Sequence, residues 1–339
     1  MKFRSCSRLL PLIFALFSSH SALALPEAEV KASLDTKIIP FLQSGEQFFF
    51  PSEDGLNLSA IHFENPAHLG TIVFVEGRSE SWLKFGEVFF DLYQRGYSIY
   101  AYDHRGQGLS PHLSSVNPQI GHVKFFSDYA HDLHAFVETV VLPHSVGQKL
   151  YLLSHSMGGA VAMDYLENYD HPFSKAIFAA PMLEINTKPY PEAVGLSIVK
   201  LQILLGKGQN YAITQRDYQT DLPFESNTLT RSEPRFWMTN EILRRNPKSI
   251  IGGTSNNWIA QSIQATHRIR KAAERVEIPF LLFQSEKDQI VKPRGQATAC
   301  ANAGTLCTLE VMPDSQHEIL MERDSIRVRA LERISQFFN

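Results

Sequence analysis

Residues 150–159 read LYLLSHSMGG, and this stretch decides the fold that the sequence predicts. Its first four residues are an apolar run typical of a buried strand, and a helical pattern follows from Met157. Ser156 lies between the two, with the small residues Ser154 and Gly158 two positions away on either side. At such a strand-to-helix turn the serine backbone is strained and its hydroxyl is lifted clear of the chain, so larger neighbours would clash. The pattern therefore predicts a nucleophilic serine at position 156.

Strand-like and helix-like segments alternate on both sides of this stretch. Short β-branched and aromatic runs predict buried parallel strands, and apolar residues at helical spacing predict the helices between them. Because helices of this length separate the strands, we predict an α/β fold with a mostly parallel central sheet flanked by helices. The strands are predicted at 71–75, 98–102, 150–153, 175–180, 280–284 and 308–312, and the helices at 82–95, 125–141, 157–169 and 326–338.

The segment 181–265 interrupts this alternation and contains no run that predicts a buried strand. Pro191 opens a predicted helix, and Pro223, Pro234 and Pro247 punctuate the short segments that follow. We predict a mainly helical cap over the ligand-binding edge of the sheet. The predicted domains are a core, formed by residues 25–180 and 266–339, and a cap inserted at 181–265.

The first 24 residues have the pattern of an export signal. Three basic residues precede the apolar run 9–17, and Ala22-Leu23-Ala24 fits the small-x-small cleavage pattern. A membrane anchor is the alternative, but the run is shorter than the ~20 residues that span a bilayer. We therefore predict a signal peptide over residues 1–24 and an exported protein, either periplasmic or secreted. Association of the exported protein with membranes stays open.

Composition and charge exclude several classes of function. The 339 residues are 44% hydrophobic and carry a net charge of −3, so the chain can form a sizeable core and has no basic excess for nucleic acid. Its three cysteines do not make a cysteine-rich metal site, and no metal site is predicted. Cys300 and Cys307 remain after residue 24. The sequence leaves open whether they form a disulfide or stay free, because it does not supply their Cα separation.

A serine hydroxyl is a weak nucleophile and needs an adjacent base. Where a serine lies at a turn of this kind, the acid and then the histidine follow it along the chain. Asp288 comes after the predicted strand 280–284, and His317 lies between the last predicted strand and the terminal helix. We therefore predict Asp288 as the acid and His317 as the base, with Glu286 and Asp314 as competing acids.

Acyl transfer also needs two N–H donors beside the negative charge that develops on oxygen. The amide of Met157, directly after the nucleophile, is the first candidate. The second is the amide of Arg78, in the loop after the predicted strand 71–75, where Gly77 permits a close approach.

A second glycine-rich loop follows the predicted strand 98–102. It spans residues 102–110 and lacks the frame of a phosphate-binding loop. Within it, Asp103 and Arg105 are expected to pair with each other and brace the site without taking part in catalysis.

Six short motifs are spread along this chain. In combination they resemble the monoglyceride-lipase-like branch of the α/β-hydrolases, and within it the bacterial lysophospholipases of the L-two type. The resemblance extends from about residue 45 to the C terminus. Glyceride lipases of this branch begin the oxyanion loop with His-Gly, whereas this chain has Glu76-Gly77, which favours the lysophospholipases. The motifs are Gly77–Ser81, Asp103–Gly108, His155–Gly159, Ala180–Met182, Asp288–Val291 and His317–Leu320.

The resemblance implies an α/β-hydrolase fold with an inserted cap. It implies removal of the acyl chain from a lysophospholipid, a small lipid substrate, by Ser156, Asp288 and His317 without a cofactor. The same residues would serve a monoacylglycerol lipase, a general carboxylesterase or a lipid acyltransferase, which stay open as alternatives. The cap is expected to supply an apolar acyl channel, for which the candidates are Leu201, Leu204, Leu205, Phe224, Phe236 and Trp237.

Overall fold

The computed structural model describes residues 24–339. The predicted signal peptide, apart from its last residue Ala24, lies outside the described residues. Within the described part of the chain, no helix is both long and apolar enough to cross a membrane.

One sheet lies at the centre of the protein. Its strands are β1 (Glu46–Pro51), β2 (Asn57–Phe63), β3 (Gly70–Val75), β4 (Tyr97–Tyr102), β5 (Leu150–His155), β6 (Phe173–Ala179), β7 (Phe280–Ser285) and β8 (Cys307–Met312). Their order across the sheet is β1-β2-β4-β3-β5-β6-β7-β8. β2 runs antiparallel to both of its neighbours, β1 and β4, and the other neighbouring pairs are parallel. The prediction of an α/β fold with a mostly parallel sheet is confirmed.

β1 and β2 are the strands that the sequence pattern missed. β1 lies at the edge of the sheet and buries only Phe50 fully, so it lacks the continuous apolar run that marks the central strands. β2 is largely buried but contains Asn57, Ser59 and His62, which interrupt its apolar character.

Helices cover both faces of the sheet. They are α1 (Val30–Ser33), α2 (Ile39–Ser44), α3 (Gly86–Gln94), α4 (Ser127–Phe136), α5 (Leu142–His144), α6 (Met157–Asn168), α7 (Glu192–Leu204), α8 (Glu233–Arg245), α9 (Asn256–Ala272), α10 (Pro293–Ala303) and α11 (Asp324–Phe338). Two π-helical segments, Leu34–Ile38 and Val137–Val141, continue α1 and α4. Short 3₁₀ turns lie at Glu27–Glu29, Trp82–Phe85, Phe224–Ser226, Pro247–Ser249, Ala273–Arg275, Gly304–Leu306 and Ile319–Met321.

The central strands send alternate side chains into two hydrophobic cores, as the period of a strand requires. Val73 and Leu152 belong to the core that contains α4 and α6. Their neighbours Ile72 and Leu153 belong to the core that contains α3 and α11. Because both faces of the sheet are buried, ligands are expected at the carboxyl ends of the parallel strands.

The insertion between β6 and β7 contains α7, α8 and α9, and the described chain forms no strand there. α9 packs against α7 and also against the core helices α6 and α10. The predicted boundary at residue 265 therefore lies inside a helix that belongs to both cap and core. Arg235 of α8 donates to the carboxylate of Glu87 in α3, which adds a buried ion pair between cap and core.

Cys300 of α10 and Cys307 of β8 form a disulfide, with 5.3 Å between their Cα atoms. This pairing answers the question that the sequence left open. The bond ties α10 to the beginning of β8, the strand that leads to His317.

Candidate active site

Ser156 occupies a strained turn between β5 and α6. Its backbone angles are φ 51° and ψ −118°, a conformation that L residues seldom adopt. A Cβ at position 158 would lie 2.2 Å from the carbonyl oxygen of Val75 and 2.3 Å from that of Glu76, so glycine is required there. Ser154, at the position where glycine is usual, is accommodated, and its Oγ donates to the carbonyl of Ile177 at 3.3 Å.

The structure brings Ser156, His317 and Asp288 into one hydrogen-bonded chain. His317 Nε2 lies 2.8 Å from Ser156 Oγ, and His317 Nδ1 lies 2.7 Å from Asp288 Oδ2. Asp288 follows β7 and His317 follows β8, so both loops leave the carboxyl edge of the sheet beside the turn at Ser156. In this geometry the imidazole can take a proton from the serine while the carboxylate holds its other nitrogen.

Asp288 is held as an anion. Its Oδ1 accepts hydrogen bonds from the amides of Ile290 and Val291 at 2.8 and 3.0 Å. Burial opposes ionisation, but the bond from His317 and these two amides together keep the pKa of Asp288 below its ordinary value.

The competing acids Glu286 and Asp314 lie outside this chain of bonds. Both side chains are substantially exposed. The Asp314 amide donates to the Glu286 carboxylate at 2.9 Å, so Glu286 is occupied in closing the turn after β8.

The oxyanion loop, residues 76–81, passes beside the nucleophile, and a Cβ on Gly77 would lie 3.1 Å from the Cβ of Ser156. The amide of Gly77 donates to Glu80 Oε2, and that of Ser79 donates to Gln107 Oε1. Between them, the amide of Arg78 has no acceptor among residues 24–339. It is thus free to donate to a substrate oxygen.

Met157 supplies the second candidate N–H. It begins α6, where the first amides of a helix lack acceptors within the helix. No acceptor for its amide occurs in the described chain. Met157 directly follows Ser156, and Arg78 directly follows Gly77, which passes beside Ser156, so both amides are candidates for an oxyanion hole.

The family model described as "Serine aminopeptidase, S33" matches residues 66–324, a span that contains Ser156, Asp288 and His317. The chain belongs to this family of α/β-hydrolases. The hydrolase is 32% identical to "Probable lysophospholipase L2" of Haemophilus influenzae over 306 residues, which cover 89% of this chain and 95% of that protein. It is 31% identical to "Lysophospholipase L2" of Escherichia coli, with 88% and 89% covered.

Monoglyceride lipases are more distant relatives. "Monoglyceride lipase" of Rattus norvegicus is 25% identical over 71% of this chain and 73% of its own length. A soluble variant of monoglyceride lipase from Saccharomyces cerevisiae superposes with a TM-score of 0.70 at 18% identity, covering 88% of this chain and 96% of that chain. A carboxyl esterase from Bacillus coagulans also gives a TM-score of 0.70, at 20% identity over 87% and 98%. The chain is a serine hydrolase of the lipase or esterase type.

Sequence reasoning missed a buried ion cluster beside the active site of this hydrolase. Lys84 Nζ lies 2.6 Å from Glu80 Oε1 and 2.6 Å from Glu318 Oε1, and all three side chains are at most 7% exposed. Burial opposes the ammonium form, but Glu318 and Glu80 together raise the pKa of Lys84 above its ordinary value. The spacing of Glu80 and Lys84 could have indicated a helical ion pair. No local pattern links either of them to Glu318.

His155 adjoins the nucleophile but faces away from it, towards β6. Its Nδ1 donates to the carbonyl of Ala179 at 3.2 Å, and its ring centroid lies 5.0 Å from that of His317. Burial and the nearby His317 lower the pKa of His155 to about 3, so it stays neutral.

The expected pair between Asp103 and Arg105 is wrong. Arg105 turns away to form ion pairs with Asp132 and Asp54. Asp103 instead accepts hydrogen bonds from backbone amides, at 2.7 Å from Trp82 and 2.6 Å from residue 109. Both residues lie in the loop after β4, outside the regular alternation of a strand, so a separation of two positions does not place their side chains together.

Glu76 stands where glyceride lipases of this branch have histidine, and it is fully buried. Gln107 Nε2 donates to its Oε1 at 2.8 Å, whereas its Oε2 has no hydrogen-bond partner in the described chain. Burial and the neighbouring Asp103 raise the pKa of Glu76 well above its ordinary value. Burial also raises the pKa of Asp103, to about 7, but Asp103 accepts several N–H and O–H bonds that favour its anion. Of the two acids, Glu76 is therefore the one to which we assign the proton.

A cavity of about 630 Å³ opens at Ser156 and His317 between core and cap. Part of its wall is charged or polar, and part is apolar. A smaller cavity of about 140 Å³ lies under α7 and shares Ile185, Thr214, Gln215 and Ile259 with the larger one. The polar lining includes Arg78, Glu80, Lys84, Arg216, Tyr218 and Glu318, and the apolar lining includes Met182, Ile185, Leu222, Phe236, Trp258 and Val291.

Of the six candidates for the acyl channel, only Phe236 lines this cavity. Phe224 packs edge-on against Phe236, with 5.5 Å between ring centroids, and does not line the cavity. Trp237 packs against the core and under Lys31.

The prediction for Leu201, Leu204 and Leu205 is wrong, because these side chains are 55%, 83% and 62% exposed. Polar and apolar residues of helix α7 are distributed without a clear apolar face, so periodicity could not tell which face turns inward. Val199 and Ile203 lie on the face of α7 that packs against the other parts of the cap, including α9.

Among residues 24–339 no group of His, Cys, Asp and Glu side chains is arranged to hold a metal ion.

Proposed function

We propose that this hydrolase is a lysophospholipase, which releases the remaining fatty acid from a lysophospholipid. The observation that carries the proposal is the bonded chain Ser156–His317–Asp288, which opens into a cavity with both apolar and charged walls. A single acyl chain attached to a charged head group has the same division between apolar and polar parts. The similarity to the two L2 lysophospholipases over most of the chain supports the same substrate class.

In the proposed first step, His317 Nε2 takes the proton of Ser156 as Oγ attacks the ester carbonyl carbon. Asp288 holds the imidazole in the required orientation and stabilises its charged form. The amides of Arg78 and Met157 donate to the oxygen on which negative charge develops. His317 then gives its proton to the glycerol oxygen, which leaves with the head group.

In the second step a water molecule replaces the glycerol oxygen. His317 takes a proton from the water, which attacks the acyl-enzyme carbonyl carbon and forms a tetrahedral intermediate that carries the water oxygen. When that intermediate collapses, the fatty acid leaves and the proton returns to Ser156. Each step uses the same histidine and the same pair of backbone amides.

A monoacylglycerol lipase or a general carboxylesterase is the second candidate, and its support is the similarity to monoglyceride lipases. A neutral glycerol head group would make no ion pair with the basic side chains of the cavity wall, Arg78 and Arg216. An acyltransferase would use the same acyl-enzyme but transfer the chain to a lipid or alcohol instead of water.

The experiment is a lipid panel with wild type and Ser156→Ala, with fatty acids and head groups identified. Lysophospholipids and monoacylglycerols of one chain length are compared, with and without an acceptor alcohol. We expect fatty-acid release from lysophospholipids by wild type and a loss of at least about 10³-fold in Ser156→Ala. Ester hydrolysis unchanged in Ser156→Ala would overturn the assignment of the nucleophile. Acyl transfer that outpaces hydrolysis would identify an acyltransferase.

We also propose that α7 contacts the lipid surface from which the substrate is drawn. Leu201, Leu204 and Leu205 form an exposed apolar surface at its C-terminal end, and Lys200 and Lys207 flank them in water. Apolar side chains bordered by lysines are typical of segments that lie in a membrane interface. This surface would place the cap against the membrane.

A further inference from the structure

A buried carboxylate faces the backbone nitrogen of Leu25. The nitrogen lies 3.1 Å from Asp91 Oδ1 and 3.3 Å from Oδ2, so both oxygens of one carboxylate are directed at one nitrogen. Leu25 is 4% exposed and Asp91 is 2% exposed. A backbone amide has one N–H, whereas an ammonium group has several and can serve both oxygens.

Charged side chains surround this nitrogen. Arg327 pairs with Asp91 at 2.6 Å, and Arg235 pairs with Glu87 and with Asp324, at 2.9 Å in each case. Arg95 also lies close enough to Asp91 to interact with its charge. Asp91 thus belongs to a buried network of ion pairs, in which a positive charge on Leu25 would find a carboxylate partner.

We propose that hydrolysis of the Ala24–Leu25 peptide bond creates the mature N terminus, and that its α-ammonium group pairs with Asp91. Water adds across the bond, which leaves a carboxylate on Ala24 and an amine on Leu25 that takes up a proton. The peptidase is of the signal-peptidase class, which acts on the exported chain before it folds. The small-x-small pattern predicts the same bond from sequence alone.

The residues at the proposed N terminus also contact both the cap and the core. The carbonyl oxygen of Leu25 accepts from Arg235 Nη2 of α8 at 3.1 Å, and the amide of Glu27 donates to Asp324 of α11 at 2.8 Å. The new N terminus would therefore join α3, α8 and α11 at one buried point, and the last helix of the chain would hold its first residues.

The first test is the mass and N-terminal sequence of the full chain after expression in a bacterium that exports it. We expect a mature protein that begins Leu-Pro-Glu-Ala-Glu-Val. Ala24→Phe should abolish this processing because the cleavage pattern requires a small residue there, whereas Leu23→Phe, at the unrestricted middle position, should be processed normally. A chain that keeps residue 24, or that begins at another residue, would overturn the proposal.

The second test examines the pairing in the processed protein through the pH dependence of its Tm relative to Asp91→Asn. An ammonium paired with a carboxylate has a raised pKa, so its stabilisation is complete below the unfolded α-amino pKa of about 7.7–8.0 and is lost above the folded value. We expect wild type to exceed Asp91→Asn by several degrees at pH 7 and by a smaller margin at pH 10. Glu29→Gln, which removes an exposed carboxylate nearby, is the control for both pH values.

A difference that stays constant from pH 7 to pH 10 would contradict the pairing. If Asp91→Asn does not fold, modification of wild type with an N-terminus-selective aldehyde replaces it. The paired amine should react at least tenfold more slowly in the folded protein than in denaturant, and equal rates would contradict the proposal.

Discussion

Lys84 and Glu318 form a buried ion pair, with 2.6 Å between Nζ and Oε1. Lys84 pairs at the same distance with Glu80, whose carboxylate also accepts the Gly77 amide of the oxyanion loop. Glu318 directly follows His317. One ammonium group therefore connects the loop beside the nucleophile with the loop that carries the base.

We expect Lys84→Met to lower kcat by about 10–100-fold, because small displacements of catalytic groups cost rate steeply. The change in KM for a soluble short-chain ester should be smaller, since the acyl-binding wall stays intact. Steady-state kinetics on that ester measure both values. Lys200→Met, at an exposed lysine of α7, is the control and should resemble wild type. A kcat within twofold of wild type in a folded Lys84→Met protein would contradict the role given to the ion pair.

Gly158→Ala should destabilise the protein by ~1–3 kcal/mol or more, because the added Cβ would lie 2.2 Å from a backbone carbonyl oxygen. Gly195→Ala is the matched control. Position 195 lies within α7, and a Cβ there meets nothing within 4 Å, so alanine should stabilise by ~0.5–1 kcal/mol. Denaturant unfolding measures both. Equal stability of the two variants would show that the turn at Ser156 is not packed as described.

Glu76→Gln should flatten the dependence of stability on pH. Burial and Asp103 raise the pKa of Glu76 above its ordinary value of 4.5. The folded wild type therefore keeps a proton that the unfolded chain gives up, and its stability falls as pH rises through this window, by up to ~1.4 kcal/mol per pH unit. Glutamine does not titrate in this range, so the variant lacks this contribution to the pH dependence. Thermal unfolding between pH 5 and 9 should show Glu76→Gln gaining on wild type as pH rises, whereas the exposed control Glu46→Gln should follow wild type. If the Tm of all three proteins changed with pH in the same way, the assignment of the proton to Glu76 would be wrong.

The triple change of Leu201, Leu204 and Leu205 to serine should reduce co-sedimentation with phospholipid vesicles by at least about fivefold, because it removes the exposed apolar surface of α7. Activity on a water-soluble ester should stay within twofold of wild type, since these side chains do not line the cavity. Leu69→Ser with Val146→Ser, at exposed apolar positions outside the cap, is the control. Equal losses of vesicle binding in both sets would mean that α7 is not the contact surface.

The central sheet could be predicted because buried parallel strands leave a strong local signal. Continuous runs such as 71–75 and 280–284 match β3 and β7 closely. The edge strand β1 was not predicted, because it is exposed on one side and therefore lacks that signal. The strand-to-helix turn at Ser156 was predictable for a similar reason, since its steric demands fall on residues two positions away.

Other features depend on contacts between distant parts of the chain. Glu318 meets Lys84 across 234 positions, and no periodicity within either segment indicates the partner. The buried face of α7 could not be predicted either, because its apolar residues do not follow one side of the helix. Asp103 and Arg105 show the converse error, in which closeness in sequence suggested a pair that the backbone separates.

The ratio of kcat/KM for a lysophosphatidylcholine to that for the monoacylglycerol with the same acyl chain tests the proposed substrate most directly. Both rates are measured by released fatty acid at equal detergent concentration, after subtraction of the rate of Ser156→Ala. We expect the ratio to exceed ten, because the polar part of the cavity wall, which includes Arg78 and Arg216, can bind a charged head group. A preference of tenfold or more for the monoacylglycerol would contradict the assignment as a lysophospholipase.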